Sequence, residues 1–347
     1  MKRIATYSLL TFSLLAPAAY AKAALPTSHL IPTIAQQTQR NGISCGAGAL
    51  ESVLEYRGPA VDQKAIADVA RTSSYGTYSF DIVRTGQFSA LSSAQGDYYA
   101  HEIPTAGFPG RPLGLAAFGH NAATPWLAEA KAIIARDIPV IMLMNFTPEP
   151  GSGAHYRVLV GYNDALSEAY FVDPWGRDMG KNFNADGTVT WTYAELASGW
   201  NYAGYGSDLP NWGAAIYPWT VAVSTRGKIQ ANSTITVNAT VTYPCLAPFN
   251  CAQFPATQAT AQITLPTGMH LASGGSTVAL PNLASGQTAS ASWSVVIDSV
   301  LTGTALTVTG SGLIAGSVPV AQGTGNGDAY PAYAYADRIG GTASLAF

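Results

Sequence analysis

The sequence predicts an α+β domain, in which a helix carrying Cys45 packs on an antiparallel sheet, followed by an all-β sandwich. Three observations carry that expectation. A helical period over residues 45–57 gives way to strand-like runs after residue 138. Charge then nearly vanishes, with only Arg226, Lys228 and Asp298 between Thr225 and Val320. Within that charge-poor stretch apolar and polar residues alternate, as strands with one buried face require.

The chain has 347 residues, of which 11% are charged, against roughly 25% in an average soluble chain. Gly, Ala, Ser and Thr replace the missing charge. Beyond the start of the chain no segment supplies the ~20 unbroken apolar residues of a membrane-crossing helix. A net charge of −3 with no basic stripe argues against nucleic acid as a partner. Lys2 and Arg3, the apolar Leu9–Leu15, and the small-x-small runs Ala19-Tyr20-Ala21 and Ala21-Lys22-Ala23 read residues 1–23 as a signal peptide. The mature protein, cleaved after Ala21 or Ala23, is then expected in the periplasm or outside the cell, with no membrane span left.

In residues 24–222, Ala47, Leu50, Val53 and Leu54 share one face of a helix that begins at Cys45 and is stopped by Gly58-Pro59. Asp62 can cap a second helix running to Arg71. Thr124-Pro125 opens a third, with Leu127, Ala130, Ile133 and Ile134 at helical spacing. Ile138–Phe146 is a nearly continuous apolar run, as expected of a strand buried on both faces. Pro148–Gly153 is a turn, and Tyr156–Tyr162 and Ala169–Asp173 follow as strands joined by the polar Asn163–Ser167. Val189–Trp191 and Ala214–Trp219 complete the sheet, around a short helix at Tyr193–Ala197.

Residues 223–322 form the second unit. Ile235, Val237, Ala239, Val241 and Tyr243 alternate with polar residues, as do Ala291, Trp293, Val295 and Ile297. Pro266-Thr267-Gly268 and Ser285-Gly286 supply turns. A β-sandwich of roughly a hundred residues fits, and it resembles the immunoglobulin-like accessory modules of bacterial exported proteins. As a separate module it should leave residues 24–222 able to fold alone. Residues 323–347 read as a Gly- and Tyr-rich tail.

The chain has three cysteines. Cys245 and Cys251 flank a Pro-containing loop and are expected to pair, because disulfides persist outside the cytoplasm. That leaves Cys45, at the mouth of its helix just after Ser44. There the dipole and unpaired N–H groups favour a thiolate, the form in which cysteine attacks a carbonyl. Gly46 beside it removes a side chain that could block a substrate. Of the five histidines, only His155 has the setting of a base, at the start of a strand after a Gly-rich turn. His29, His101, His120 and His270 read as surface or structural. Asp173 ends the next strand, where an antiparallel neighbour of His155 could fix the imidazole's tautomer. Gln39, six residues before Cys45, could donate a hydrogen bond to a developing oxyanion. Gln36 and Gln37 compete for that role.

The runs Gln39-Arg-Asn-Gly-Ile-Ser-Cys45-Gly, Gly153-Ala-His155-Tyr-Arg-Val-Leu-Val-Gly-Tyr and Phe171-Val-Asp173-Pro resemble the bacteriocin-processing, double-glycine-leader peptidases over about residues 33–220. The resemblance implies a papain-like fold, and thiol-dependent acyl transfer by Cys45, His155 and Asp173 with Gln39 as oxyanion donor. It implies a peptide or protein substrate and no cofactor or metal. Where that family has Pro-Ala after Cys-Gly, this chain has Ala47-Gly48. Typical members are fused to a transporter, whereas an export signal is expected here. Alternative readings are a non-catalytic adhesin or peptide-binding protein on the same fold, or a peptidoglycan amidohydrolase or transamidase.

Overall fold

The computed structural model describes residues 24–94, 107–176, 188–250, 252–299, 301–322 and 329–347. The signal-like residues 1–23, His101 and Cys251 lie outside the described residues. The first half consists of β1 (Ser28–Leu30), α1 (Cys45–Tyr56), α2 (Gln63–Val69), α3 (Ser79–Gln87), β2 (Ser93–Ala94), β3 (Ala116–His120), α4 (Leu127–Ile134), β4 (Val140–Asn145), β5 (Ala154–Asn163), β6 (Glu168–Val172), β7 (Val189–Thr192), α5 (Tyr193–Gly199) and β8 (Gly213–Tyr217). Seven of these strands make one antiparallel sheet in the order β3-β8-β4-β5-β6-β7, with β1 paired to the end of β5. The nearly continuous apolar run expected between residues 138 and 146 becomes β4, buried at every position. Helix α1 lays Leu50, Val53 and Leu54 on this sheet, against β5. The Thr192 hydroxyl and the Glu195 carboxylate form a capping box that starts α5.

Two features of the helices differ from expectation. Asp62 does cap α2, accepting from the Lys64 and Ala65 amides, but the helix stops at Val69 rather than Arg71. Arg71 has a left-handed φ of 46°, which turns its side chain inward to a bidentate pair with Asp81 at 2.8 and 3.0 Å. Helix α3 was not legible, because Asp81, Arg84 and Gln87, polar in type, are fully buried on it.

The second half contains β9 (Thr220–Arg226), β10 (Ser233–Thr242), β11 (Thr257–Thr264), β12 (Met269–Leu271), β13 (Thr277–Ala279), β14 (Thr288–Ile297), β15 (Ala305–Val318), β16 (Ala321–Gln322), β17 (Ala329–Tyr330) and β18 (Tyr333–Ala346). They form a four-stranded sheet, β12-β14-β10-β9, and a five-stranded sheet, β13-β11-β15-β18-β2, with β16 and β17 a short separate ribbon. Strand β9 crosses the boundary expected at residue 222. The segment read as a tail holds β18, 14 residues long and paired with β15 along its whole length. Tyr333, Tyr335, Asp337 and Ile339 are buried and alternate with the more exposed Ala334, Ala336 and Arg338, as in any half-buried strand.

The halves are bonded through their interiors. Strand β2 belongs to the first half in sequence yet pairs with β18. Arg84 on α3 meets Asp337 on β18 at 2.9 Å, both side chains fully buried. Arg71 also donates to the carbonyls of Pro319 and Pro331, each at 3.0 Å. The Phe118 ring on β3 lies 6.1, 6.2 and 5.8 Å from those of Tyr243, Phe249 and Phe254. Cys45 is a free thiol, and Cys245 is disulfide-bonded. Among the described residues, no helix is long and apolar enough to cross a membrane.

Candidate active site

Cys45 is the first residue of α1. No side chain caps that helix end: the Ser44 hydroxyl instead donates to Asn41 Oδ1 at 2.7 Å. The first-turn amides therefore stay open to the sulfur. Burial works to raise the thiol's pKa, but a hydrogen bond and charge from His155, with backbone N–H groups at Tyr156 and Gly46, outweigh it and hold it below the ordinary value. A Cβ at Gly46 would lie 2.6 Å from Thr77 Cβ, so this glycine serves close packing of α1 on the loop before α3 rather than access to the sulfur.

His155 is the second residue of β5, only 2% exposed. Asp173, fully buried, directly follows β6, the strand paired with β5. His155 Nε2 lies 2.7 Å from Asp173 Oδ1, which leaves Nδ1 for the thiol. Phe146 and Trp175 box the ring, with centroids at 4.9 and 6.5 Å. Burial tends to lower the His155 pKa, but the Asp173 carboxylate and the Cys45 hydrogen bond raise it above the ordinary imidazole value.

Arg157, two residues along β5, escaped the sequence reading. Its Nε donates to Asp173 Oδ2 at 2.7 Å, and its other nitrogens donate to the carbonyls of Asn145 and Phe146 at 3.2 and 2.8 Å. The guanidinium also stacks 4.6 Å over the Trp191 ring. Asp173 thus divides its oxygens, Oδ2 to Arg157 and Oδ1 to His155 and the Trp175 amide. Burial alone would raise its pKa; these partners hold it below the usual carboxylate value. Arg157→Met would leave this carboxylate half-compensated inside the protein. A loss of about 3–5 kcal/mol is expected, measurable as a lowered urea midpoint against the parent chain.

The three candidate glutamines have different partners. Gln37 donates to Glu55, and Gln36 to the Thr38 hydroxyl at 3.1 Å. Gln39 is 9% exposed. Its backbone amide donates to the Pro174 carbonyl at 2.6 Å, pinning it to the residue after Asp173. Its side-chain Nε2 donates to the Asn41 carbonyl at 2.6 Å, and its buried Oε1 has no partner. The other histidines stand apart: His29 pairs with Asp137 at 2.8 Å and His270 with Asp298 at 2.9 Å, while His120 packs its ring 5.5 Å from that of Trp126. A small cleft in front of Cys45 is lined by Ile43, Tyr75, Gly76, Tyr156 and Tyr205. Tyr205 holds a left-handed φ of 49°, a strained backbone for an aromatic residue, fixed by the Ser79 amide donating to its carbonyl at 2.7 Å.

A family model described as the Peptidase_C39 like family matches residues 30–207, just over half of the chain. The chain belongs to that family. It is accordingly a cysteine peptidase of papain-like fold, and a peptide substrate is implied. The structure is similar to xylellain, a cysteine protease from Xylella fastidiosa, at 17% identity and a TM-score of 0.38, covering 56% of this chain and 87% of that one. It is also similar to the peptidase domain of Streptococcus ComA, a bifunctional ABC transporter involved in a quorum-sensing pathway, at 14% identity and a TM-score of 0.34, covering 52% and 96%. No curated protein matches the sequence.

Proposed function

We propose that this family member cleaves peptide bonds outside the cytoplasm through Cys45, His155 and Asp173, with Gln39 donating to the oxyanion. The observation that carries the reading is the relay in one line: a thiol at an open helix N-terminus, hydrogen-bonded to His155, whose Nε2 is held 2.7 Å from Asp173. In it, Nδ1 of His155 takes the Cys45 proton, and the thiolate attacks the amide carbonyl. The imidazolium then protonates the leaving amine, and water, deprotonated by His155, releases the acyl-enzyme. Asp173, held as a carboxylate by Arg157, fixes the tautomer and steadies the imidazolium. Gln39 keeps a second amide hydrogen for the oxyanion, beyond the one given to Asn41. The disulfide at Cys245 and the signal-like start of the sequence support export. The paired sheets of residues 220–346 fit an immunoglobulin-like accessory module.

The pH dependence of peptide hydrolysis tests the reading. The competent form pairs a thiolate with an imidazolium. Activity should rise as pH climbs through the lowered pKa of Cys45 and fall as it climbs through the raised pKa of His155. Asp173→Asn removes the charge that raises His155, so its alkaline limb should move to lower pH. A profile of kcat/KM that keeps its alkaline limb in Asp173→Asn would assign that limb to another group and break the assignment. Cleavage of a peptide library by the parent chain, with Cys45→Ala as control, supplies the substrate for the measurement.

A further inference from the structure

One wall of the cleft in front of Cys45 is made by residues 74–77, and the second half of the chain holds it. Residues 73–76 form a tight turn in which Ser73 and Gly76 exchange backbone hydrogen bonds at 3.0 and 2.9 Å. The Tyr75 amide donates to the hydroxyl oxygen of the buried Ser73 at 3.2 Å, and that hydroxyl donates to the Gln322 carbonyl at 3.1 Å. Two residues earlier, the Arg71 guanidinium donates to the Pro319 and Pro331 carbonyls and lies 5.5 and 5.4 Å over the rings of Phe80 and Tyr333. All three acceptors are backbone carbonyls on the connection from β15 to β18. The base of this turn is therefore tied to the second half at two successive points.

The other end of the turn is anchored on the candidate centre. Tyr156 donates its hydroxyl to the Thr77 carbonyl at 3.0 Å, while its backbone N–H serves the Cys45 sulfur. Thr77 also shares a hydrogen bond of 2.7 Å with the Thr72 hydroxyl. Between these anchors Ser74 and Tyr75 stand exposed, Tyr75 by 52%. A polypeptide that reaches Cys45 through this cleft meets them, and a wall ordered in advance spares the substrate the cost of ordering it. We propose that Ser73 is a positioning residue, whose bond to the second half holds residues 74–76 ready for the peptide. The second half thereby contributes to peptide binding through the first. This rests on Cys45 being the nucleophile.

The test compares Ser73→Ala and Ser73→Thr with the parent chain, on a peptide found by the library. In Ser73→Ala, KM should rise about fivefold, the effect of one neutral hydrogen bond, with kcat kept within about twofold. Hydrogen exchange over residues 72–77, read by mass spectrometry, should quicken, and iodoacetamide should label Cys45 at the parent rate. Ser73→Thr keeps the hydroxyl and should return KM and exchange to the parent values. The proposal fails if exchange stays slow in Ser73→Ala, or if it quickens while KM is unchanged. A KM that remains raised in Ser73→Thr overturns it too. So does a loss of kcat and labelling together, which would make Ser73 a support of the whole centre. A parent chain that cleaves no peptide, or a Cys45→Ala chain that still does, instead removes the reading on which the proposal stands.

Discussion

Replacing Cys45 with alanine is expected to abolish both peptide turnover and labelling by iodoacetamide, since Cys45 is the free thiol and Cys245 is in a disulfide. His155→Ala should also remove turnover, and should slow labelling near neutral pH, because the thiolate loses the partner that lowers its pKa. Gln39→Ala separates the two readouts. Alkylation develops no oxyanion, so labelling should persist at the parent rate, while turnover should fall about a hundredfold or more. Stopped-flow labelling and steady-state hydrolysis on the same preparations give both numbers. Intact turnover in Gln39→Ala would remove Gln39 from the oxyanion role and pass the same test to Gln36 and Gln37, whose amides each give one hydrogen bond, to Thr38 and Glu55.

The fragment 24–222, which the sequence marks as a self-sufficient domain, is expected not to fold cooperatively. It would keep Arg84 in the interior of α3 while losing Asp337, and it would strip two carbonyl partners from Arg71. A buried ion pair broken on one side costs about 3–5 kcal/mol, comparable to the whole stability of a small domain. Phe118 and Trp126 would lose aromatic neighbours at the same time, Phe249 standing 6.2 and 6.0 Å from their rings. Circular dichroism during urea titration reads the outcome. A sharp transition in the fragment, with Cys45 still labelled at the parent rate, would show that the first half stands alone.

The candidate centre was legible because its parts sit at element ends. A cysteine opening a helical period, a histidine opening a strand after a Gly-rich turn, and an aspartate closing the next strand can be placed from local pattern alone. Arg157 could not be, because an arginine inside an apolar strand reads as its solvent side until the partner strand brings Asp173 beneath it. The different surroundings of Gln36, Gln37 and Gln39 came only from tertiary contacts such as those of Glu55 and Pro174. The same limit hid α3 and β18. Buried charges on both remove the hydrophobic period that marks an element, and Arg84 and Asp337 make sense only together.

Strand β18 has a consequence for the order of synthesis. Every residue of the candidate centre has been translated by position 173, yet Asp337, which neutralises Arg84, comes far later in the chain. Contacts spanning some 250 positions, such as Tyr335 Oη donating to Gln87 Oε1 at 2.8 Å, make folding slow to begin and late to finish. A nascent chain therefore holds every residue of the candidate centre before Arg84 has gained its buried partner. Stable peptidase structure therefore waits on β18, so a chain terminated before Tyr335 should be far less stable than the parent, having lost the buried partners of both Arg84 and Gln87.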